Sequence, residues 1–380
     1  MYRRNLLHSL LVACALLAAA CGIPSGAPAP WEDPSDDLFT TGPYILLGQE
    51  SGQAFVAFKA ELEQPPKVEW WIGPGERTAV LATRTDDLWV VRLEGLPIGD
   101  KISYRVLSEI GDTPAEQFRV GVKDGETFRF AVFGDTRTRH NIHRAIIEAV
   151  ARENIEFFAH TGDMVDRGGV KSQWDLFFQI ERPLLRHAPI LPSIGNHDKG
   201  ARQYYRRYFM HRLWARNLRY YYKDWGNLRI VAVDGGIECR EGCTQYGFVE
   251  QALAQGAAQG KLMVMMLHFP PYSSGAHGSH KGVQKPVSDL ARTYGVELVL
   301  TGHDHNYERT VPIDGTVYIV SGSAGAPVRP VRPRWFTAHA RTEPHYVLVD
   351  VEADRLVLRA VNLKGVVFDS ATIEAVPPAI

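Results

Sequence analysis

Five apolar runs each end in a turn carrying the residue types of metal and phosphate chemistry, and this order constrains the fold more than any other feature. Phe128–Phe133 runs into Gly134-Asp135-Thr136-Arg137, and Ile155–Ala159 is followed by Thr161-Gly162-Asp163-Met164-Val165-Asp166-Arg167-Gly168. Ile190–Ile194 leads to Gly195-Asn196-His197-Asp198, Leu262–Leu267 to His268-Phe269-Pro270, and Val296–Leu300 to Thr301-Gly302-His303-Asp304-His305. Short apolar runs read as buried strands. The helical periods between and after them (Ile142–Arg152, Gln173–Leu185, Gly247–Gln255, Val283–Tyr294) make a layered α/β domain, with further strands at Leu228–Val233 and Val317–Val320. Ligand sites in such sheets collect where loops leave the carboxyl ends of strands. A polar residue before one turn is ordinarily a cap; five in succession point to one shared rim. Carboxylates, an amide and imidazoles together suit Mn, Fe or Zn better than Ca or Mg alone.

The order Gly-Asp, Gly-Asp-x-x-Asp-Arg-Gly, Gly-Asn-His-Asp, a lone His and Gly-His-x-His resembles the calcineurin-like metallophosphoesterases, over about Phe128 to Asp350. The run Gly302 to Arg309, after a fibronectin-like domain, is most similar to the purple acid phosphatase branch. The resemblance implies a four-layer α/β/β/α sandwich and a centre of two metal ions (Fe, Mn or Zn) hydrolysing phosphate monoesters of a small phosphorylated substrate. A phosphodiesterase of the same fold is the near alternative, and a catalytically inactive envelope binding protein is the rival. Carried over residue by residue, Asp163 bridges the metals, Asp135 and His305 serve one, and Asn196, His268 and His303 serve the other. His197 becomes the general acid at the leaving-group oxygen, oriented by Asp166, and Arg167 clamps phosphate. Asp166 and Arg167 also read as a surface salt bridge. His277, in the Gly/Ser loop after His268, reads either as substrate-facing or as part of a solvated loop.

Two departures matter. Most of the family carries Asp-x-His at the first motif, but here the position is Arg137, which cannot bind a metal. The tyrosine that purple acid phosphatases place three residues after the bridging Asp is here Asp166, so no purple colour is expected. One metal site is therefore a ligand short. Arg137 is left to contact phosphate, and His140 or His143 to fill the gap, unless both are exposed helix-start residues. His160 reads as a packed strand residue, His187 and His211 as structural, and Tyr204 to Tyr222 as core plus rim. Cys239 and Cys243 read as a small-loop disulfide; zinc is the rival, without further ligands nearby.

Residues 40–122 carry short alternating runs (Tyr44–Leu47, Gln53–Lys59, Lys67–Ile72, Leu88–Leu93, Ile102–Leu107) separated by turn residues, a small all-β sandwich. Leu93 to Gly99 followed by Tyr104 resembles the tyrosine corner of fibronectin type III modules, and the domain reads as a rigid stalk, or else as a substrate-shaping module. The catalytic domain is expected over 123–375. Arg3 and Arg4, the apolar run Leu10–Ala20 and the small residues before Cys21 read as a signal peptide over 1–20. Cys21 is then a lipid attachment point for a protein exported to a bacterial cell envelope, or an incidental residue of plain secretion, and 21–39 is a tether. A formal net charge of -1 argues against a nucleic-acid partner, and 45% hydrophobic with 22% charged residues excludes disorder.

Overall fold

The alternating pattern of the first domain forms eight strands: β1 (Thr41–Leu47), β2 (Ala54–Lys59), β3 (Lys67–Ile72), β4 (Thr78–Leu81), β5 (Thr83–Thr85), β6 (Leu88–Leu93), β7 (Ile102–Leu107) and β8 (Glu116–Phe118). The computed structural model describes residues 38–123, 125–209, 219–237 and 240–379. The strands make two four-stranded antiparallel sheets, β1-β2-β6-β5 and β4-β3-β7-β8. Between them lie Ile45, Val56, Phe58, Trp89, Val91 and Tyr104, the inward side of the alternation.

The first of these sheets is buried on both faces. Tyr44, Leu46, Phe55, Ala57, Leu88 and Val90 point away from the sandwich and join the core that the neighbouring helices share. The Tyr104 hydroxyl donates to the carbonyl of Arg186 at 2.7 Å, not to a corner of its own domain. Tyr44 likewise donates to the carbonyl of Tyr208 at 2.9 Å. The sandwich is thus fused onto the following domain, which corrects both the stalk reading and the tyrosine-corner reading.

The remainder alternates: β9 (Phe128–Phe133), α1 (His140–Val150), β10 (Phe157–His160), α2 (Lys171–Leu185), β11 (Ile190–Pro192), α3 (Arg202–Phe209), β12 (Tyr221–Trp225), β13 (Leu228–Ala232) and α4 (Thr244–Ala258). Then come β14 (Leu262–Met266), α5 (Lys281–Tyr294), β15 (Leu298–Thr301), β16 (Tyr307–Thr310), β17 (Val317–Ser321), β18 (Thr337–Arg341), β19 (His345–Val351), β20 (Arg355–Asn362) and β21 (Val367–Glu374). Two mixed sheets result, β11-β10-β9-β19-β20-β21 and β12-β13-β14-β15-β17-β16-β18. Phe130 and Val132 of β9 meet Val264, Met266 and Leu298 between the sheets. The alternate residues Ala131 and Phe133 face the core containing Ile146, Ile147 and Trp174 of α1 and α2. Met263 and Met265 face Val249 of α4 and Val287 of α5. Strands apolar on both faces are what burial between a second sheet and a helix layer requires. The layers are α/β/β/α, as the family resemblance implied.

Strands β9, β10 and β11 pair in parallel, with Phe133 beside His160 and His160 beside Pro192. Strands β13, β14 and β15 are parallel too, with Met266 beside Leu300. All five motif turns therefore leave from carboxyl ends of the two sheets. Among the described residues, no helix is long and apolar enough to cross a membrane. The expectations for residues 1–37, Cys21 included, and for His211 and Cys239 fall outside the described residues. Cys243 accepts the Tyr246 N–H at the start of α4.

Candidate metal centre

The turns reach the centre through backbone that most side chains avoid. Asp135, Asp163 and His303 have φ of 55°, 54° and 70°. Non-glycine residues in this region are uncommon, and strain of this kind persists where surrounding contacts enforce it. Asp135 N–H donates to the Gly162 carbonyl at 2.9 Å, and His303 N–H to Asp135 Oδ2 at 2.9 Å. His197 N–H donates to Asp163 Oδ1 at 2.9 Å. Gly195 is obligatory, since a Cβ there would lie 2.1 Å from Asp163 Oδ1.

The imidazoles are held as metal ligands need them. His268 Nδ1 lies 2.9 Å from the Thr161 carbonyl and His305 Nδ1 2.9 Å from the Pro327 carbonyl, so each donates there and keeps a lone pair on Nε2. Burial pushes His268 down, His305 to about 4 and His303 to about 2, which leaves neutral rings. His268 Nε2 then faces Asn196 Oδ1 at 3.0 Å and Asp163 Oδ1 at 3.4 Å. His305 Nε2 faces Asp135 Oδ1 at 3.5 Å, and that oxygen is buried without a hydrogen-bond partner. Acceptors facing acceptors without a shared proton fit a cation, and the donor set suits a transition metal. Among the described residues, Asp135, Asp163 and His268 are the trio of carboxylate or imidazole donors whose ligand atoms lie within 4.8 Å of one another.

The fit is weaker on the Asp135 side. Arg137 lies over the Asp163 carboxylate, with Nε 3.4 Å from Asp163 Oδ2 and Nη1 2.7 Å from Asp166 Oδ1. Among the described residues, no further imidazole fills that place. His143 is buried with Nε2 2.7 Å from Glu181 Oε1, and burial raises Glu181 and lowers His143, so both are held neutral. His143 is neither a ligand nor an exposed helix-start residue, because α2 packs over that face of α1. His140 is exposed at the start of α1.

His197 Nδ1 donates to the main-chain carbonyl of Asp166 at 2.7 Å, while the Asp166 carboxylate stands 3.7 Å away. Asp166 thus orients this ring through its backbone and gives its carboxylate to Arg137, not to Arg167. Arg167 is exposed, its N–H bonded to Gln173 Oε1 at 2.7 Å. His277 stacks on His303 with centroids 4.3 Å apart; its N–H donates to Asp304 Oδ1 at 2.8 Å and its Nε2 contacts Arg329 Nη1. His160 is buried between Gly162 N–H and Thr136 Oγ1, and His187 is half-buried. Tyr205 and Tyr208 are core residues.

Sequence reasoning missed the braces. Asp198 accepts N–H groups of Asp163 and Gly195 at 2.9 Å each and of Met164 at 3.1 Å, tying the second turn to the third. Asp304 gathers Ser273 Oγ and the N–H groups of His277 and Gly278. Both stand inside the quoted motifs, Asp198 next to His197 and Asp304 between His303 and His305, and an acid there was the available signal.

Residues 128–307 match the calcineurin-like phosphoesterase family model. The chain is 28% identical over 227 residues to a probable inactive purple acid phosphatase 24 of Arabidopsis thaliana, covering 48% of this chain and 37% of that one. It is 27% identical over 215 residues to a nucleotide pyrophosphatase/phosphodiesterase of Hordeum vulgare, covering 46% and 58%. The chain thus spans less than two thirds of these curated relatives. The fold matches the purple acid phosphatase PPD1 of yellow lupin with a TM-score of 0.76 at 21% identity, over 87% of this chain and 74% of that one. The motif turns that converge on Asp163 lie within residues 128–307, the part of the chain that is similar to the calcineurin-like phosphoesterase family.

Proposed function

We propose that this chain hydrolyses phosphate monoesters in a metal-dependent reaction at the Asp163 centre. The observation that carries this reading is the convergence of lone-pair atoms from Asp163, Asn196 and His268 beside a His197 ring whose Nε2 is turned inward, 3.9 Å from Asp163 Oδ2. Asp163, Asn196, His268 and His303 would hold a metal ion, which would supply Lewis-acid charge for phosphoryl transfer. His197 Nδ1 donates to the Asp166 carbonyl at 2.7 Å, which leaves Nε2 as the nitrogen turned toward the centre. From there Nε2 delivers a proton to the departing oxygen. Arg137 offers guanidinium N–H groups to phosphate oxygens, and Arg167 lies on the exposed approach. His277, braced by Asp304 and Arg329 above His303, borders the place where the leaving group departs.

The name of the barley relative favours a second reading, cleavage of phosphodiesters or pyrophosphates, by the same residues with a wider mouth. Assay of the purified protein on aryl phosphate mono- and diesters with Mn, Zn or Fe separates the two. Metal retention without turnover on either substrate would overturn the enzymatic reading and leave a binding protein.

The proposed setting is the cell envelope, with the chain exported and lipid-anchored at Cys21. Its support is the basic, apolar and small-residue succession before that cysteine. Fatty-acid labelling that persists in a Cys21→Ala variant rejects the anchor.

A further inference from the structure

We propose that the guanidinium of Arg137 stands in for a second metal ion, so that the centre holds a single ion on Asp163, Asn196, His268 and His303. The inference rests on the metal-dependent reading above and departs from the two-ion centre that the family resemblance implies.

A carboxylate that bridges two ions turns one oxygen to each. In this protein Asp163 Oδ1 faces His268 Nε2 at 3.4 Å, and Oδ2 faces Arg137 Nε at 3.4 Å. Arg137 is fixed there. Its side chain is 11% exposed, Nη1 is bound to Asp166 Oδ1 at 2.7 Å, and Nε is buried without a hydrogen-bond partner. A guanidinium stays protonated at any working pH and cannot coordinate a metal. Its charge answers the negative oxygen that a second ion would otherwise neutralise.

What remains for a second ion is Asp135 Oδ1 and His305 Nε2, 3.5 Å apart. Two donors beside a permanent cation are too few and too positive for a divalent ion, because like charges at this range in a buried site repel strongly. Of the two imidazoles within reach in sequence, His143 is taken by Glu181 and His140 is exposed at the start of α1. Asp135 is still needed, because its Oδ2 holds His303 N–H at 2.9 Å and so places a ligand of the first ion.

The test is a metal count that needs no turnover. Chelator-stripped protein is loaded with excess Mn²⁺ and desalted, the retained equivalents are measured, and the electron paramagnetic resonance spectrum is recorded. The wild type is expected to retain one equivalent with the spectrum of isolated Mn²⁺. Arg137→His exchanges the cation for a neutral donor and is expected to retain two, with an exchange-coupled spectrum. Any wild-type count other than one, or a folded Arg137→His protein that retains one, overturns the assignment. If Arg137→His does not fold, the wild-type count and spectrum decide alone. Failure of the proposed activity is distinguishable: an inactive protein holding one ion refutes the activity, and an active one holding two refutes this assignment.

Discussion

Asp198 holds the backbone of Asp163 in place, accepting its N–H at 2.9 Å while the same carboxylate takes Gly195 N–H at 2.9 Å and Met164 N–H at 3.1 Å. Asp163 sits at φ 54°, and these bonds offset the strain of that conformation. Asp198→Asn turns an acceptor into a donor against backbone N–H groups. It should cost about 1–3 kcal/mol of stability and lower metal affinity about 10–100-fold. Asp163→Asn should remove metal binding and activity together. Denaturant unfolding and metal titration measure both effects, and an Asp198→Asn protein with unchanged metal affinity would refute the bracing role.

His197 has its Nδ1 occupied by the Asp166 carbonyl and its Nε2 free for the leaving group. His197→Ala should retain the metal and slow esters of poor leaving groups about 100- to 10,000-fold, with little effect on good ones. A plot of log kcat against leaving-group pKa should steepen in the variant. Equal slowing across the series counts against a general acid.

The fused sandwich is open to a stability test. Tyr104→Phe deletes the hydroxyl that meets the Arg186 carbonyl at 2.7 Å, and Tyr44→Phe the one that meets the Tyr208 carbonyl at 2.9 Å. Each should cost about 1 kcal/mol, and the two should add, being independent contacts. One cooperative thermal transition, shifted down in both variants, is expected. Two separated transitions in the wild type would show the sandwich unfolding independently.

The strand-end motifs were legible because everything that makes them is local: an apolar run, a glycine turn, then a donor. The four layers came with the family resemblance, and the strands, apolar on both faces, have the cover on both sides that such layers give them. The rest depended on distant packing. Arg137 reads as an arginine in the wrong place until Asp163 and Asp166 close on it. The tautomers of His268 and His305 are set by the carbonyls of Thr161 and Pro327, groups every residue possesses. His143 disappears under α2 because of Phe177 and Glu181, far along the chain. The hydroxyl of Tyr104 finds a partner 82 residues away, where the sequence pattern suggested a near one.

His345 links the fold beneath the centre to pH. Its ring is buried at the start of β19, with Nδ1 2.7 Å from Ser323 Oγ and Nε2 3.1 Å from Ser321 Oγ, and it so flanks Gly322. A Cβ on Gly322 would come within 2.9 Å of Asp135 Oδ2, so this clamp fixes backbone directly under a site residue. Burial depresses the ring from its ordinary 6.5 to about 4. The unfolded chain therefore binds a proton that the folded chain refuses between those values, and stability must fall as pH drops from about 6.5 towards about 4. The loss reaches about 2 kcal/mol at pH 5 and about 3 kcal/mol at the lower limit. His345→Asn should be less stable than the wild type at pH 7.5, having lost part of the clamp, yet lose about 2 kcal/mol less on going to pH 5. Measuring unfolding free energies in chelator at both pH values keeps ligand protonation by metal out of the comparison. His187, depressed to about 4 by burial, contributes equally to both proteins and cancels. Identical pH losses in the two proteins would mean that His345 does not couple the clamp to acid.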